Sequence, residues 1–496
     1  SLCLSFYVFV FIVFESLFSL VLPSINRCNV FEYILLIKIY LFGLFSAYLT
    51  AFISGIAFGW TSPEIPQLKD SNTTTIDTVI NASQEGWIGA CLPLAAAVGP
   101  IGAGFLADSV GRKWTILIGN LPFLLSFIVN VFAKSIYFFY FSRLLCGLGV
   151  GIIFTVLPIY IAEISDDTSR GTLGSLLQVF VVIGLLFSYT LGPFLSIRTF
   201  NIILIFPPTL FMILFSVFIP DSPVFLLQKR RMSEAVQALV KFRDQEELPA
   251  QKEAELINSQ LLEDLKSKGS FKLIFKSPGL RKALSISLAL VAGQQLSGIT
   301  VVLFYTQSVF ADAGVPIAPE MCTIIMGIVQ VFASPAAPLL VDRCGKRCLL
   351  IISGVGMAVS HILLAFFFYL KNVQHTDVSN LGWVPIVSVV VYIITYCLGF
   401  GALPFAVMGE IFPGNVKSIA SSATSSFCWI LGFVISNYFG AVSNLIGQSG
   451  SFGFFGICCI ISALYVFKFV PETTGKNVNE IQCLLDGSTK KSIELI

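Results

Sequence analysis

Apolar residues dominate the chain in stretches of about 20, the length that a helix needs to cross the hydrocarbon core of a bilayer. Short polar clusters separate these stretches. The twelve apolar stretches lie near residues 39–60, 87–107, 114–132, 137–160, 171–192, 200–219, 283–306, 318–341, 348–370, 383–408, 417–441 and 451–470. The pattern therefore predicts an all-α membrane protein with twelve membrane-spanning helices.

Residues 1–38 fit this pattern poorly and form an atypical N-terminal segment. Ser1–Leu22 is apolar, but it carries Glu15 and lacks the basic leader of a signal peptide. Two interpretations stay open. The segment is an incomplete or wrongly predicted N terminus, or it is a real extra helix that spans the membrane or lies at its surface.

The composition agrees with a membrane protein, because 56% of the residues are hydrophobic and only 12% are charged. A soluble chain is about half apolar and a quarter charged. The net charge of +2 argues against a basic face that would bind nucleic acid. The apolar composition instead predicts that the lipid bilayer surrounds most of the chain. Neither the cysteines nor His361 and His375 have metal-ligand spacing, so we expect no metal. We also expect no cofactor and no obligate protein partner.

Two glycosylation sequons set the expected orientation. They begin at Asn72 and Asn81, in the polar loop Thr61–Gly86 after the first stretch, and glycosylation would place that loop outside the cell. Basic residues are concentrated on the opposite side, as the positive-inside rule requires; twelve of them lie between Lys229 and Lys282. We expect a multi-pass protein of the plasma membrane, with both ends of its twelve-helix core in the cytoplasm. The two sides are called the predicted outer and inner ends below.

The second half of the chain repeats the first. Asp108-x-x-Gly111-Arg112 recurs as Asp342-x-x-Gly345-Lys346, and two further pairs recur in the same order: Pro158 with Glu163 as Pro404 with Glu410, and Pro220-Asp221 as Pro471-Glu472. The repeat predicts two six-helix halves, 39–220 and 283–470. A helical cytoplasmic linker, 221–282, joins them, with helical spacing at Ser233–Phe242 and Ala250–Leu265, and a cytoplasmic tail, 471–496, follows.

Several motifs between about residues 40 and 485 occur together in this order: Gly104–Lys113, Arg143-x-x-x-Gly147-x-Gly149, Pro158–Glu163, Arg170-Gly171, Pro220–Pro223, Gln294–Gly298, Asp342–Arg347 and Pro471–Lys476. Together they resemble the sugar porter family of the major facilitator superfamily. Phe58–Pro63 is similar to the insect trehalose-transporter-like branch of that family. The resemblance implies the major facilitator fold, whose halves rock around a site near the middle of the membrane.

Charged residues lie at the predicted inner ends of the helices, where acids and bases can hold the two halves together. Charges there also orient helices in any membrane protein, which is the simpler interpretation. The resemblance implies an inner gate. Its residues are Asp108, Arg112, Glu163, Arg170, Asp221, Asp342, Arg343, Lys346, Arg347, Glu410 and Lys417.

Glutamines inside apolar stretches are candidate sugar ligands, because an amide both donates and accepts hydrogen bonds. Joining neighbouring helices is their alternative role. The resemblance places Gln178, Gln294, Gln295 and Tyr305 at sugar-contact positions. Departures from the family pattern occur at Thr300, Gln330 and Cys428, and at Ala402 and Phe405 in the tenth stretch. The expected substrate site contains Gln178, Gln294, Gln295, Thr300, Tyr305, Gln330, Phe405, Cys428 and Trp429.

The expected function is facilitated diffusion of a sugar, a hexose or trehalose, by alternating access. Thr61 stands where proton-coupled members of the family have an aspartate, and Arg143 has no acidic partner in the first stretch. A proton-driven transporter needs a titratable group in the membrane. Proton-coupled symport and a non-transporting sugar receptor remain alternatives, and the departures around the site favour the latter. We find no nucleophile–base pair or phosphate loop that would indicate an enzyme.

Overall fold

The computed structural model describes residues 30–76, 78–165, 170–243, 246–266, 271–476 and 478–486. The expectations for Ser1–Leu22 and for the end of the tail fall outside these ranges. Every regular element within them is a helix.

The first helix group runs from Val30 to Phe218. It consists of α1 (Val30–Gly59), α2 (Thr61–Lys69), α3 (Ala82–Val110), α4 (Arg112–Val131), α5 (Ile136–Ile164), α6 (Arg170–Leu191), α7 (Ile197–Leu204) and α8 (Phe206–Phe218), with a 3-10 turn at Gly192–Phe194. The helix of the first apolar stretch is longer than expected, because α1 begins at Val30 and α2 continues almost directly from it to Lys69.

Four helices form the linker: α9 (Pro223–Gln228), α10 (Met232–Arg243), α11 (Glu247–Lys266) and α12 (Phe271–Lys276). The expected helices at Ser233–Phe242 and Ala250–Leu265 are therefore confirmed as α10 and α11. Each carries apolar residues at helical spacing, so that one face is buried while the other stays in water. Ala235, Leu239 and Ala254 lie on the buried faces.

The second helix group runs from Pro278 to Phe469. It consists of α13 (Pro278–Leu296), α14 (Ile299–Ala313), α15 (Pro319–Ala333), α16 (Ala336–Cys344), α17 (Lys346–Asn372), α18 (Val384–Leu398), α19 (Leu403–Ile411) and α20 (Gly414–Phe469), with a 3-10 turn at Ser379–Leu381. A final helix, α21 (Val478–Asp486), follows this group.

In the described part of the chain, nine helical segments are long and apolar enough to cross a membrane, and the bent pair α15 and α16 makes a tenth. One of the nine, Ile419–Phe469, has 51 residues. At 1.5 Å per residue it is about twice the length that one crossing needs. Gly447 interrupts it with φ 76° and ψ 165°, which is not helical. With two crossings in this segment and one in α1, the helices accommodate the twelve expected spans.

Three spans in the second group are broken near their middle. The break between α13 and α14 falls at Gly298, whose φ of 79° favours glycine. A Cβ atom at Gly298 would also lie 2.8 Å from the Phe455 ring. The other breaks lie between α15 and α16, at an angle of 42°, and at Gly399–Ala402, between α18 and α19. Broken helices leave backbone groups without intrahelical partners, so they create polar positions inside an apolar bundle.

The two groups pack against each other mainly through α3 and α20. Trp429, Phe433 and Asn437, spaced four residues apart along one face of α20, meet the first group. The Phe433 ring lies 6.0 Å from Trp87 of α3. A Cβ atom on Gly86 would come within 2.8 Å of the Asn437 carbonyl oxygen. This close approach explains why a glycine stands at that point of α3.

Candidate functional site

Gln294, near the end of α13, is buried and bonded to the break between α18 and α19. Its Nε2 donates to the carbonyl oxygen of Phe400 at 2.7 Å and to that of Gly401 at 3.2 Å. A further bond of 3.3 Å joins Nε2 to the Tyr396 hydroxyl. The amide nitrogen thus satisfies carbonyl groups that the interrupted helix cannot satisfy. In this arrangement Gln294 has the helix-joining role that the sequence left open as an alternative.

Gln295 faces a different set of partners. Its Nε2 lies 3.2 Å from Sγ of Cys428, and its Oε1 accepts a bond of 2.7 Å from the Thr300 hydroxyl. Thiols are weak hydrogen-bond acceptors. The nitrogen of Gln295 is therefore the more available of the two amide nitrogens for a sugar hydroxyl.

The remaining expected ligands lie at several depths. Tyr305 is buried and donates to the carbonyl oxygen of Ser436 at 3.2 Å. Gln330, only 1% exposed, has an Oε1 that accepts no hydrogen bond from the described residues. Gln178 is half-buried, and Phe405 is 39% exposed. The structure thus joins Gln294, Gln295, Thr300 and Cys428 in one cluster. The other expected ligands form no hydrogen bond with this cluster among the described residues.

Trp429 sits next to this cluster, where the two helix groups meet. Its ring stacks on Phe58 at 6.0 Å and meets Phe154 edge-on at 6.1 Å, and both phenylalanines belong to the first group. Trp429 is also about midway between Gly414 and the break at Gly447 in α20. The structure therefore places a polar cluster of the second group beside aromatic rings from both groups.

Arg143 of α5 is buried in the first group, where that group meets the second. Its Nη2 donates to the Thr61 hydroxyl at 3.2 Å, and its Nε donates to the Ile88 carbonyl at 3.2 Å. The guanidinium also lies 5.7 Å from the Phe304 ring of the second group. Among the described residues, no carboxylate forms an ion pair with it.

At the predicted inner end of the first group, Arg112 is the centre of a charged cluster. Its side chain is 7% exposed and lies 3.0 Å from Glu163 and 3.3 Å from Asp108. It also donates to the side-chain oxygen of Gln228 in α9 at 3.3 Å. Ser222 donates to the other oxygen of Glu163. Arg112 therefore ties α3, α5 and the first linker helix together.

The corresponding cluster of the second group is built on Lys346, whose Nζ lies 2.7 Å from Oε1 and 2.9 Å from Oε2 of Glu410. Arg347 donates to the Phe467 carbonyl. Among the other expected gate residues, Asp342, Arg343 and Lys417 are exposed. The side chain of Arg170 lies outside the described residues.

Asp221 and Glu472, which the repeat relates, each bind the start of a helix in their own group. Oδ1 of Asp221 accepts from the backbone N–H of Lys113, at the start of α4, at 3.2 Å. Glu472 accepts from the backbone N–H groups of Lys346 and Arg347, at the start of α17, at 3.1 Å each. Both carboxylates thus act as N-caps supplied from a distant part of the chain.

The two carboxyl groups differ in their pKa. Burial raises the pKa of Asp221, and its bonds from Ser222 and Lys113 only partly oppose that effect. Burial acts in the same direction on Glu472, but hydrogen bonds from Thr474, Arg347 and Lys346 outweigh it and hold the pKa below its ordinary value. The second cap is therefore the more firmly ionised one.

The contacts that join the two groups lie at the level of Trp429 or toward the predicted outer end. The Tyr189 hydroxyl donates to the Leu303 carbonyl at 2.8 Å, and the Gln307 N–H donates to the Ser62 hydroxyl at 3.3 Å. By contrast, the hydrogen bonds and ion pairs found for the described gate residues join partners of one group and its adjoining loop or linker. This is the arrangement expected of a transporter that is closed toward the predicted outer side.

Both sequon asparagines are exposed in the loop between α2 and α3. Asn72 donates from Nδ2 to Asp70 at 3.2 Å. Asn81 is the N-cap of α3, where its Oδ1 accepts from the Gln84 N–H at 2.9 Å. Glycosylation at these two residues stays a prediction.

Among the cysteines in apolar stretches, Cys458 is half-buried, and the buried ones are Cys91, Cys146, Cys397, Cys428 and Cys459. No group of three or more metal-ligating side chains occurs within the described residues. His361 packs in the second group, 2.7 Å from the Ser297 carbonyl oxygen.

This fold, with its paired glutamines and repeated charged clusters, defines a major facilitator transporter. The Sugar (and other) transporter family matches residues 35–485, so the chain belongs to this family. A solved structure of the xylose transporter XylE from E. coli superposes with a TM-score of 0.72, at 23% identity, covering 88% of this chain and 99% of that chain.

The curated relatives are more similar in sequence. A facilitated trehalose transporter Tret1 from Polypedilum vanderplanki is 36% identical over 443 residues, which cover 88% of this chain and 86% of the relative. A facilitated trehalose transporter Tret1-2 homolog from Drosophila simulans is 36% identical over 438 residues, covering 88% of this chain and 89% of the relative.

Proposed function

We propose that the protein is a facilitative transporter of a sugar, a hexose or trehalose, that works by alternating access. The observation that carries this proposal is the polar cluster of Gln294, Gln295, Thr300 and Cys428 beside the aromatic contact of Trp429. The relatives at 36% identity are named facilitated trehalose transporters, which supports the same substrate class.

Binding is expected to centre on Gln295. A sugar hydroxyl can replace the weak thiol contact of its Nε2 while Thr300 continues to hold its Oε1. Trp429, Phe58 and Phe154 offer ring faces to the apolar side of the sugar. Gln178, Tyr305, Gln330 and Phe405 complete the proposed site. The departures at Thr300 and Cys428 leave shorter side chains than the asparagine common in the family, so they bear on which sugar fits.

Uniport is favoured over proton symport because Arg143 is bonded to neutral oxygens. Thr61 supplies one of these oxygens. Proton-coupled members of the family have an aspartate at the position of Thr61. A threonine hydroxyl does not ionise between pH 5 and 8, so this pair cannot couple sugar movement to a proton gradient.

Alternating access requires that contacts form at one end of the bundle as they break at the other. The two groups are packed together at the predicted outer end. At the inner end, the described gate residues form ion pairs only within their own group. We propose that these clusters approach each other across the groups when the outer contacts break. The proposal also includes division into halves 39–220 and 283–470, a position in the plasma membrane, cytoplasmic core termini and no enzymatic activity.

Uptake of radiolabelled hexoses, trehalose and polyols into proteoliposomes containing the purified chain tests the proposal. Saturable uptake of a sugar that equilibrates with and without an imposed pH gradient is expected. Accumulation above equilibrium driven by protons would instead establish symport. Sugar binding without uptake would establish the receptor alternative.

A further inference from the structure

Glu64 of α2 is the residue that the sequence interpretation overlooked. It follows the first apolar stretch and would be expected in the outer polar loop. In the structure the helix continues through this position, and Glu64 is 0% exposed. Neither carboxyl oxygen accepts a hydrogen bond from any described residue.

A buried carboxylate without a donor or a counter-charge is strongly disfavoured, so such a group takes up a proton. Among the described side chains at this end, the nearby charged groups of α2, α3, α14 and α15 have other partners. Lys69 and Glu85 form an ion pair of 2.6 Å, Asp312 accepts from Gln448 at 2.6 Å, and Glu320 accepts from Gln307 at 3.2 Å. Glu64 is therefore held as the neutral acid in this arrangement.

Arg143, which has no carboxylate partner among the described residues, contacts Thr61, about one helical turn before Glu64. Arg143 is 1% exposed and donates to the Thr61 hydroxyl at 3.2 Å. Thr61 and Glu64 are three residues apart on α2, so their side chains are neighbours on one side of the helix. Thr61 thus separates a buried acid from a buried guanidinium that bonds only to neutral oxygens, and no charge-assisted pair between the two is formed.

The same helix takes part in closing the outer end. Ser62, two residues before Glu64, accepts the hydrogen bond from Gln307 that crosses between the groups. Movement of α2 away from α14 would break this contact. It would also allow Glu64 to reach water or Arg143, where the ionised form is stable.

We propose that Glu64 is a proton-binding site that controls the outer end: the proton stabilises the arrangement seen here, and its release accompanies opening. This inference rests on the proposed function. Because α2 leads into the predicted outer loop, the proton exchanges with the outer solution and sets the rate of uptake without driving accumulation. Acid outside therefore favours the closed outer end.

The test measures initial rates of sugar uptake into cells expressing the chain, at external pH 7.5 and 5.5, normalised to surface protein. With one linked proton, the equilibrium between the two arrangements changes at most about tenfold per pH unit. We expect uptake by the unmodified chain to be at least about threefold slower at pH 5.5 than at pH 7.5. Glu64→Gln mimics the protonated acid, so its uptake should be slow and equal at both values.

Glu85→Gln is the matched control, since it neutralises a carboxylate at the same end that already has the partner Lys69. It should keep the pH dependence of the unmodified chain. Glu64→Gln should keep the melting temperature, because the site already holds a neutral group.

Equal uptake by the unmodified chain at both pH values, or a pH dependence that survives in Glu64→Gln, would overturn the inference. Absence of sugar uptake by the unmodified chain at pH 7.5 would instead contradict the proposed function.

Discussion

Mutations of the two adjacent glutamines of α13 are expected to have different effects, because the two side chains have different partners. Gln294→Leu and Gln295→Leu each remove one amide while keeping approximate volume. Gln294→Leu deprives the break between α18 and α19 of its donor to Phe400 and Gly401. Gln295→Leu removes a weak contact to a thiol and an acceptor for the Thr300 hydroxyl.

The magnitudes follow from these bonds. Each hydrogen bond contributes about 0.5–1.5 kcal/mol, and a buried group left unsatisfied costs about 1–3 kcal/mol. With the Phe400 carbonyl in a buried position, Gln294→Leu should destabilise the protein by about 2–4 kcal/mol in total. The Thr300 hydroxyl can rotate to a backbone carbonyl three or four residues before it, ahead of α14, so Gln295→Leu should cost about 1 kcal/mol or less. Its sugar affinity should fall about tenfold, which corresponds to about 1.4 kcal/mol.

The assay pairs melting temperature in detergent with sugar binding and uptake, all normalised to folded protein. Gln294→Leu should melt below both Gln295→Leu and the unmodified chain, and Gln295→Leu should show the loss of affinity. Equal melting temperatures of the two variants would refute the assignment of Gln294 to the helix break. Unchanged affinity in Gln295→Leu would remove it from the sugar site and leave Gln178 and Gln330 as the candidates.

Three further predictions concern the loops. Gly345→Ala should lower the melting temperature, because the φ of Gly345 is 77° and the new Cβ would lie 2.5 Å from the Glu472 carboxylate. An unchanged melting temperature would contradict this. Since the pKa of Glu472 is lowered in the folded protein, its stabilising effect should exist above about pH 4.3 and disappear as the pH falls through the folded pKa. Melting curves of Glu472→Gln should therefore converge with those of the unmodified chain in acid, and a constant gap would refute this. Glycosidase treatment should lower the mass of the cellular protein unless both Asn72 and Asn81 are replaced by Gln; a glycosidase-insensitive mass would count against an outer loop.

The positions of the spans and linker helices could be predicted because hydrophobic periodicity is local. Met232–Arg243 carries its apolar spacing within its own sequence, and the structure ends it within a residue or so of the expected Ser233–Phe242. The repeat also placed the gate motifs in equivalent loops. These features need no knowledge of which helix packs against which.

Roles that depend on distant partners could not be predicted. Gln294 bonds to carbonyl groups more than 100 residues away, at a break that no hydropathy pattern marks. The polar residues after Gly59 indicated the end of a span, yet α2 continues the helix and packs Glu64 out of water. Burial of a charged residue is decided by packing between helices, and a single sequence does not contain that information in readable form.

The capping carboxylates suggest why the halves could move as stiff units. The resemblance assigned Asp221 to a gate between the groups, but its carboxylate is bonded to the start of α4 in its own group. Gly111, at the same helix start, has a φ of 105°, and a Cβ there would collide with Asp221. The bonds therefore brace each inner end from within, and the caps need not break for the groups to separate. Opening can then proceed through contacts between the groups, which is the geometry that rocking around a midplane site requires.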